Sequence, residues 1–118
     1  MAVNITGGTP SAISTLLGTN LQTGTSYTIA LSDANNVVIE LSNTSAITLT
    51  VPTNATAPIP IGSQVQILQT NTGQVTVAGA GGVTVNANPG LKLRGQWSFA
   101  TLIKRGTDTW VLVGDVTP

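Results

Sequence analysis

A chain of 118 residues makes one domain, large enough to bury an apolar core without disulfides or a metal. It has no His and no Cys, and four basic side chains balance four acidic ones to give zero net charge. Those absences exclude Ser-His-Asp and Cys-His catalysis, zinc sites made of Cys and His and disulfide frameworks, and the basic excess of a nucleic-acid binder is missing.

The first 24 residues carry no charged or aromatic side chain. Thr9 suits an N-cap, Pro10 the first helical position and Gly18 the stop. Ile13, Leu16 and Leu17 then fall at i, i+3 and i+4 on one apolar face. The pattern predicts an N-terminal arm over residues 1–24 with a short helix, an extended lead-in being the alternative. Two turns of helix do not stand alone in water, so such an arm needs a surface to dock on. Met1–Pro10 lacks the basic and apolar regions of a secretory signal, and no apolar run reaches the length of a membrane span.

From Thr25 the apolar period becomes two, as in half-buried strands. Tyr27, Ile29 and Leu31 alternate with Thr28 and Ala30. A turn at Asp33–Asn36 precedes a strand from Val37 to Leu41. A second turn at Ser42–Thr44 leads into Ile47, Leu49 and Val51. Pro52, Pro58 and Pro60 enclose a loop that cannot be a central strand. Gln64 to Gln69 is the next strand. Val75-Thr76-Val77 is echoed by Val83-Thr84-Val85 around Gly-rich residues 78–82, which reads as a hairpin. No helix follows that loop, so it is not a phosphate-binding motif. A short strand spans Leu91 to Arg94.

The last hairpin has the strongest pattern. Trp97 to Lys104 and Thr109 to Val113 flank a Gly106-Thr107 turn, which would pair Ile103 with Trp110 and Thr101 with Leu112. One face then holds Trp97, Phe99, Ile103, Trp110 and Leu112, and its three aromatics mark it as the core side. The other face holds Leu102, Val111 and Val113, more apolar than a solvated face needs, and is expected to meet another sheet or subunit. The whole predicts an all-β fold for residues 25–118, a small antiparallel sandwich or barrel of about eight or nine short strands. With 20 Thr, 13 Gly and 9 Asn, its surface is neutral and hydroxyl- and amide-rich, and so prone to associate.

The stretch Thr25 to Val116 resembles a small β module of tailed-bacteriophage virion proteins, found in head decoration and head-fibre proteins and near the ends of tail fibres. The matching pieces include Tyr27-Thr28-Ile29-Ala30-Leu31, Leu49-Thr50-Val51-Pro52, Pro60-Ile61-Gly62-Ser63-Gln64 and Leu91-Lys92-Leu93-Arg94-Gly95-Gln96. The most specific are Ala100-Thr101-Leu102-Ile103-Lys104 and Gly106-Thr107-Asp108-Thr109-Trp110-Val111-Leu112-Val113-Gly114-Asp115. One departure is Ile59, where an aromatic is expected before the Pro-x-Gly.

The resemblance implies a virion structural protein, often a homotrimer, with no enzymatic activity. The chain has neither the shaft nor the attachment domain of a receptor-binding fibre. It therefore reads as a capsid decoration (cement) protein in the phage head, bound to the major capsid protein. No cofactor, metal, nucleic acid, membrane or small-molecule substrate is expected. The alternative is a tail-fibre or spike tip binding host carbohydrate. The acids fit no hydrolase: Asp33 and Asp108 read as turn residues, Glu40 as a strand residue and Asp115 as a strand end. Trp97 and Trp110 read as core rather than sugar platforms. The expected capsid or subunit contacts are Ile13, Leu16 and Leu17 in the arm, the strand residues Leu102, Val111 and Val113, and the exposed pair Lys92 and Arg94.

Overall fold

The structure, a computed structural model, describes residues 17–118. Its elements in chain order are β1 (Gly18–Gln22), β2 (Ser26–Thr28), a 3-10 turn (Leu31–Ala34), β3 (Val37–Leu41), β4 (Ile47–Val51), β5 (Gln64–Gln69) and β6 (Val75–Gly79). Then come β7 (Thr84–Ala87), β8 (Lys92–Leu93), β9 (Phe99–Gly106), β10 (Thr109–Gly114) and β11 (Val116–Thr117). The fold is all-β, as expected, but its pairing is not that of an antiparallel sandwich or barrel. A larger sheet runs β1-β3-β5-β9-β10-β7 and a smaller one β11-β8-β6-β4-β2.

Through β6 the chain winds. Each strand is followed by one in the opposite sheet, and each pairs in parallel with the strand one turn earlier. The turns of this short solenoid are β1 with β2, β3 with β4, and β5 with β6. The first step carries Gly18 to Val37, and the longer second step, which contains the proline loop, carries Ile39 to Ile67. Corners stack as the strands do. The Asn43 side-chain amide donates to the Thr23 carbonyl, and the Gly73 N–H donates to the Asn43 carbonyl, both at 2.8 Å. Only glycine fits at position 73, because a Cβ there would fall on the Ser45 carbonyl oxygen.

The winding then closes. β8 lies antiparallel to β6, β9 antiparallel to β5, and β10 antiparallel to β9, while β7 pairs in parallel with β10 at the far edge. The Val-Thr-Val echo is therefore not a hairpin: β6 and β7 belong to different sheets, and residues 80–83 cross between them. The predicted arm is also shorter than residues 1–24, since Gly18–Gln22 is a strand of the larger sheet and Gly18 pairs with Val37 rather than ending a helix. Leu17 is not helical, and residues 9–16 of the predicted helix lie outside the described residues.

One apolar core fills the space between the sheets. It holds Ile39, Leu41, Val65, Ile67, Leu102, Trp110 and Leu112 from the larger sheet, and Ile47, Leu49, Val51, Val75, Val77, Leu93 and Val116 from the smaller. Alternation puts these on one side of each strand, and each buried aliphatic side chain contributes about 1.5–3 kcal/mol. Ile59, from the proline loop, is buried in the same core.

Candidate attachment surface

The C-terminal hairpin differs from its sequence reading by one residue, and this decides which side chains face outward. Its turn is Thr107-Asp108. Gly106 faces Thr109, and a bulge then shifts the register so that Trp110 faces Lys104 and Leu112 faces Leu102. Arg105 is the extra residue. A slip of one residue reverses a strand's faces. Ala100, Leu102 and Lys104 thus turn inward with Trp110 and Leu112. Phe99, Thr101 and Ile103 turn outward with Val111 and Val113.

Among the expected contacts, Leu102 is therefore corrected. It is fully buried and cannot touch a partner. Val111 is half-buried and Val113 exposed on the outer face. Leu17, just before β1, is exposed, while Ile13 and Leu16 lie outside the described residues. Lys92 and Arg94 both point to solvent, with Leu93 between them in the core. Arg94 is not free: its guanidinium donates to Asp115 at 2.6 Å. The Asp115 carboxylate also accepts from the Ser98 hydroxyl at 2.7 Å. The Ser98 bond first and the Arg94 contact second hold the Asp115 carboxyl below the usual carboxylate range.

Sequence reasoning placed Trp97 and Phe99 in the core, yet they are 66% and 44% exposed. Trp97 precedes β9, at the third position of a four-residue turn closed by Ser98 N–H to the Gly95 carbonyl. Its φ is +73°, a left-handed conformation that costs a non-glycine residue about 1–2 kcal/mol. The turn is pinned on several sides. Trp97 N–H donates to the Gln69 carbonyl at 2.6 Å, Gln96 to the Thr70 carbonyl at 3.3 Å, and Gly95 N–H to the Ser98 hydroxyl at 3.1 Å.

Registers across the larger sheet order its outer face into rows. Leu21, Glu40, Leu68 and Phe99 stand side by side in one. The next holds Thr19, Val38, Gln66, Thr101 and Val113. A third holds Gln64, Ile103, Val111 and Asn86. More than half of these side chains are apolar, and one is charged. The polar ones satisfy each other in part: Thr101 donates to Gln66 at 2.5 Å, and Gln66 to Gln64 at 3.3 Å.

Two polar clusters lie inside the fold instead. Asp33, expected as a turn residue, is 2% exposed. It accepts from the Tyr27 hydroxyl at 2.7 Å, the Ala30 N–H at 2.8 Å and the Asn20 amide at 2.9 Å. Burial, together with its bond to the Asp33 carboxylate, raises the Tyr27 hydroxyl above its ordinary pKa. Lys104 is equally buried. Its ammonium donates to Asn54 Oδ1 at 2.6 Å and to the Ile59 carbonyl at 2.7 Å, and lies 5.9 Å from the centre of the Trp110 ring. Both clusters tie loops to strands. Among the described residues no three of His, Cys, Asp and Glu gather as metal ligands would. No protein-family model matches the chain, and no curated protein was found to match it.

Proposed function

We propose that the chain is a structural protein of a tailed-phage virion, a decoration protein that binds the assembled head as a homotrimer through non-covalent contacts. The resemblance over Thr25 to Val116 supports this reading. The observation that carries it is the outer face of the larger sheet, where Leu21, Phe99 and Val113 are exposed beside Trp97. Such a face costs a solitary soluble domain solubility and has its use in a contact. Trimers built through that contact attach at many equivalent points of a capsid, so modest individual affinities sum. Purified protein mixed with undecorated phage heads should co-sediment with them at saturating stoichiometry and raise their melting temperature. Protein left in the supernatant at micromolar concentration rejects the assignment.

The exposed Trp97 indole also favours a second reading, a fibre or spike tip that stacks on host sugars. In that case isolated host lipopolysaccharide or capsular glycan binds the protein and quenches Trp97 fluorescence, and heads do not bind it.

A further inference from the structure

We propose that the outer face of the larger sheet, anchored by Trp97, is the contact between copies of this chain. The inference rests on the homotrimer reading above and names its surface. The first argument is Trp97 itself. It combines a left-handed backbone with a large apolar side chain held out in water, on a turn that four hydrogen bonds make rigid. The hydrogen bonds hold the strained backbone in place, and the side chain stays 66% exposed. Backbone strain retained at an exposed aromatic is the pattern of a binding anchor.

The second argument is charge. Glu40 stands in the row with Leu21, Leu68 and Phe99, at the Trp97 end of the face. Arg105 is exposed at the far end of β9, in the bulge. Neither forms an ion pair among the described residues, where Arg94 with Asp115 is the one salt bridge. One face thus offers a free carboxylate at one end and a free guanidinium at the other. A second copy laid head to tail brings Glu40 of one chain to Arg105 of the next, and with zero net charge the two copies do not repel.

Area is consistent with this occupant. Four strands about 4.8 Å apart, with three outward rows about 6.8 Å apart, project roughly 400 Å². Turned to a shared three-fold axis, each face meets both neighbours, so a trimer buries about 1,200 Å² over its three faces.

Sedimentation equilibrium of the full chain tests this with four variants. Trp97→Gly should keep or raise the melting temperature, because glycine suits the φ there, and should weaken association about 30-fold or more. Glu40→Arg and Arg105→Glu should each weaken association about tenfold, and the double reversal should restore it. A wild-type chain that stays monomeric overturns the homotrimer reading and this inference together. An oligomeric wild type with an equally oligomeric Trp97→Gly overturns the surface assignment alone. So does a double reversal that associates no better than the single ones. Loss of glycan binding in Trp97→Gly with assembly unchanged also overturns it, in favour of a sugar platform.

Discussion

Residues 18–79 and residues 84–117 share one core but end it in different ways. The first part winds, strand over parallel strand, so its first turn has nothing earlier to stack on among the described residues. There the inward positions of β1 are polar: Asn20 stands in line with Ile39 and Ile67, and Gln22 with Leu41 and Gln69. Asn20, Gln22, Tyr27 and Asp33 bond among themselves and close that end. The second part closes the other end with apolar bulk. Antiparallel strands bring Leu93, Leu102, Trp110, Leu112 and Val116 over the last turn. A stacked repeat needs a distinct cap at each end, and among the described residues a hydrogen-bonded network stands at one end and a folded-over hairpin at the other.

If that contrast holds, the apolar cap should be the more sensitive. Trp110→Ala should destabilise the fold by about 3–5 kcal/mol, read as a fall in the urea midpoint, because it empties the largest buried side chain. A loss below about 1 kcal/mol would mean the cap is loosely packed. At the polar end, Asp33→Ala strands the Tyr27, Ala30 and Asn20 donors and should cost about 3 kcal/mol. Tyr27→Phe removes one donor from the same network and should cost about 1 kcal/mol. Equal losses for the two would show that Tyr27, not Asp33, organises that end. Between the caps, Gly73→Ala forces a methyl onto the Ser45 carbonyl in the stacked corner and should cost about 2 kcal/mol. Hydrogen exchange should show the loss at residues 42–46 and 70–74 before the C-terminal hairpin.

Individual strands were legible in the sequence where apolar and polar residues alternate without interruption. Val37–Leu41, Ile47–Val51 and Gln64–Gln69 stand where alternation and flanking turn residues put them. Their pairing was not legible. A solenoid corner and a hairpin turn use the same Asn, Gly, Ser and Thr, and one buried face gives the same period of two whether the neighbour runs parallel or antiparallel. Leu31 looked like the end of a strand, but the Asp33 carboxylate binds the Ala30 N–H and folds Leu31–Ala34 into a 3-10 turn. Of the attachment surface, Val111 and Val113 were legible as apolar residues beyond the needs of a solvated strand. Phe99 was not, because the Arg105 bulge exchanges the faces of β9, nor was Trp97, which lies in a left-handed turn before that strand. Inward Lys104 gave no warning, since a lysine in alternation reads as outward unless Asn54 and the Ile59 carbonyl are known to wait for it.

The smallest expected effect concerns the joint between the parts, where Arg94, Ser98 and Asp115 hold the end of β10 to the Trp97 turn. The Ser98 hydroxyl and the Arg94 guanidinium favour ionised Asp115, so its folded pKa lies below its unfolded one. The unfolded chain then binds the proton first as pH falls. Asp115 therefore adds stability above the ordinary carboxylate range and loses that contribution as the pH drops through its lowered folded value. Both partners of the ion pair are partly solvated, so the effect is modest and screened by salt. Asp115→Asn should melt slightly below the wild type at neutral pH, and the gap should narrow as the buffer is taken into the acid range. High salt should shrink the neutral-pH gap without abolishing it, because the Ser98 hydroxyl can still donate to the asparagine oxygen but now meets no charge. Melting curves that stay parallel from neutral to acid pH would show that Asp115 acts through packing of the turn alone and that its charge does not help present Trp97.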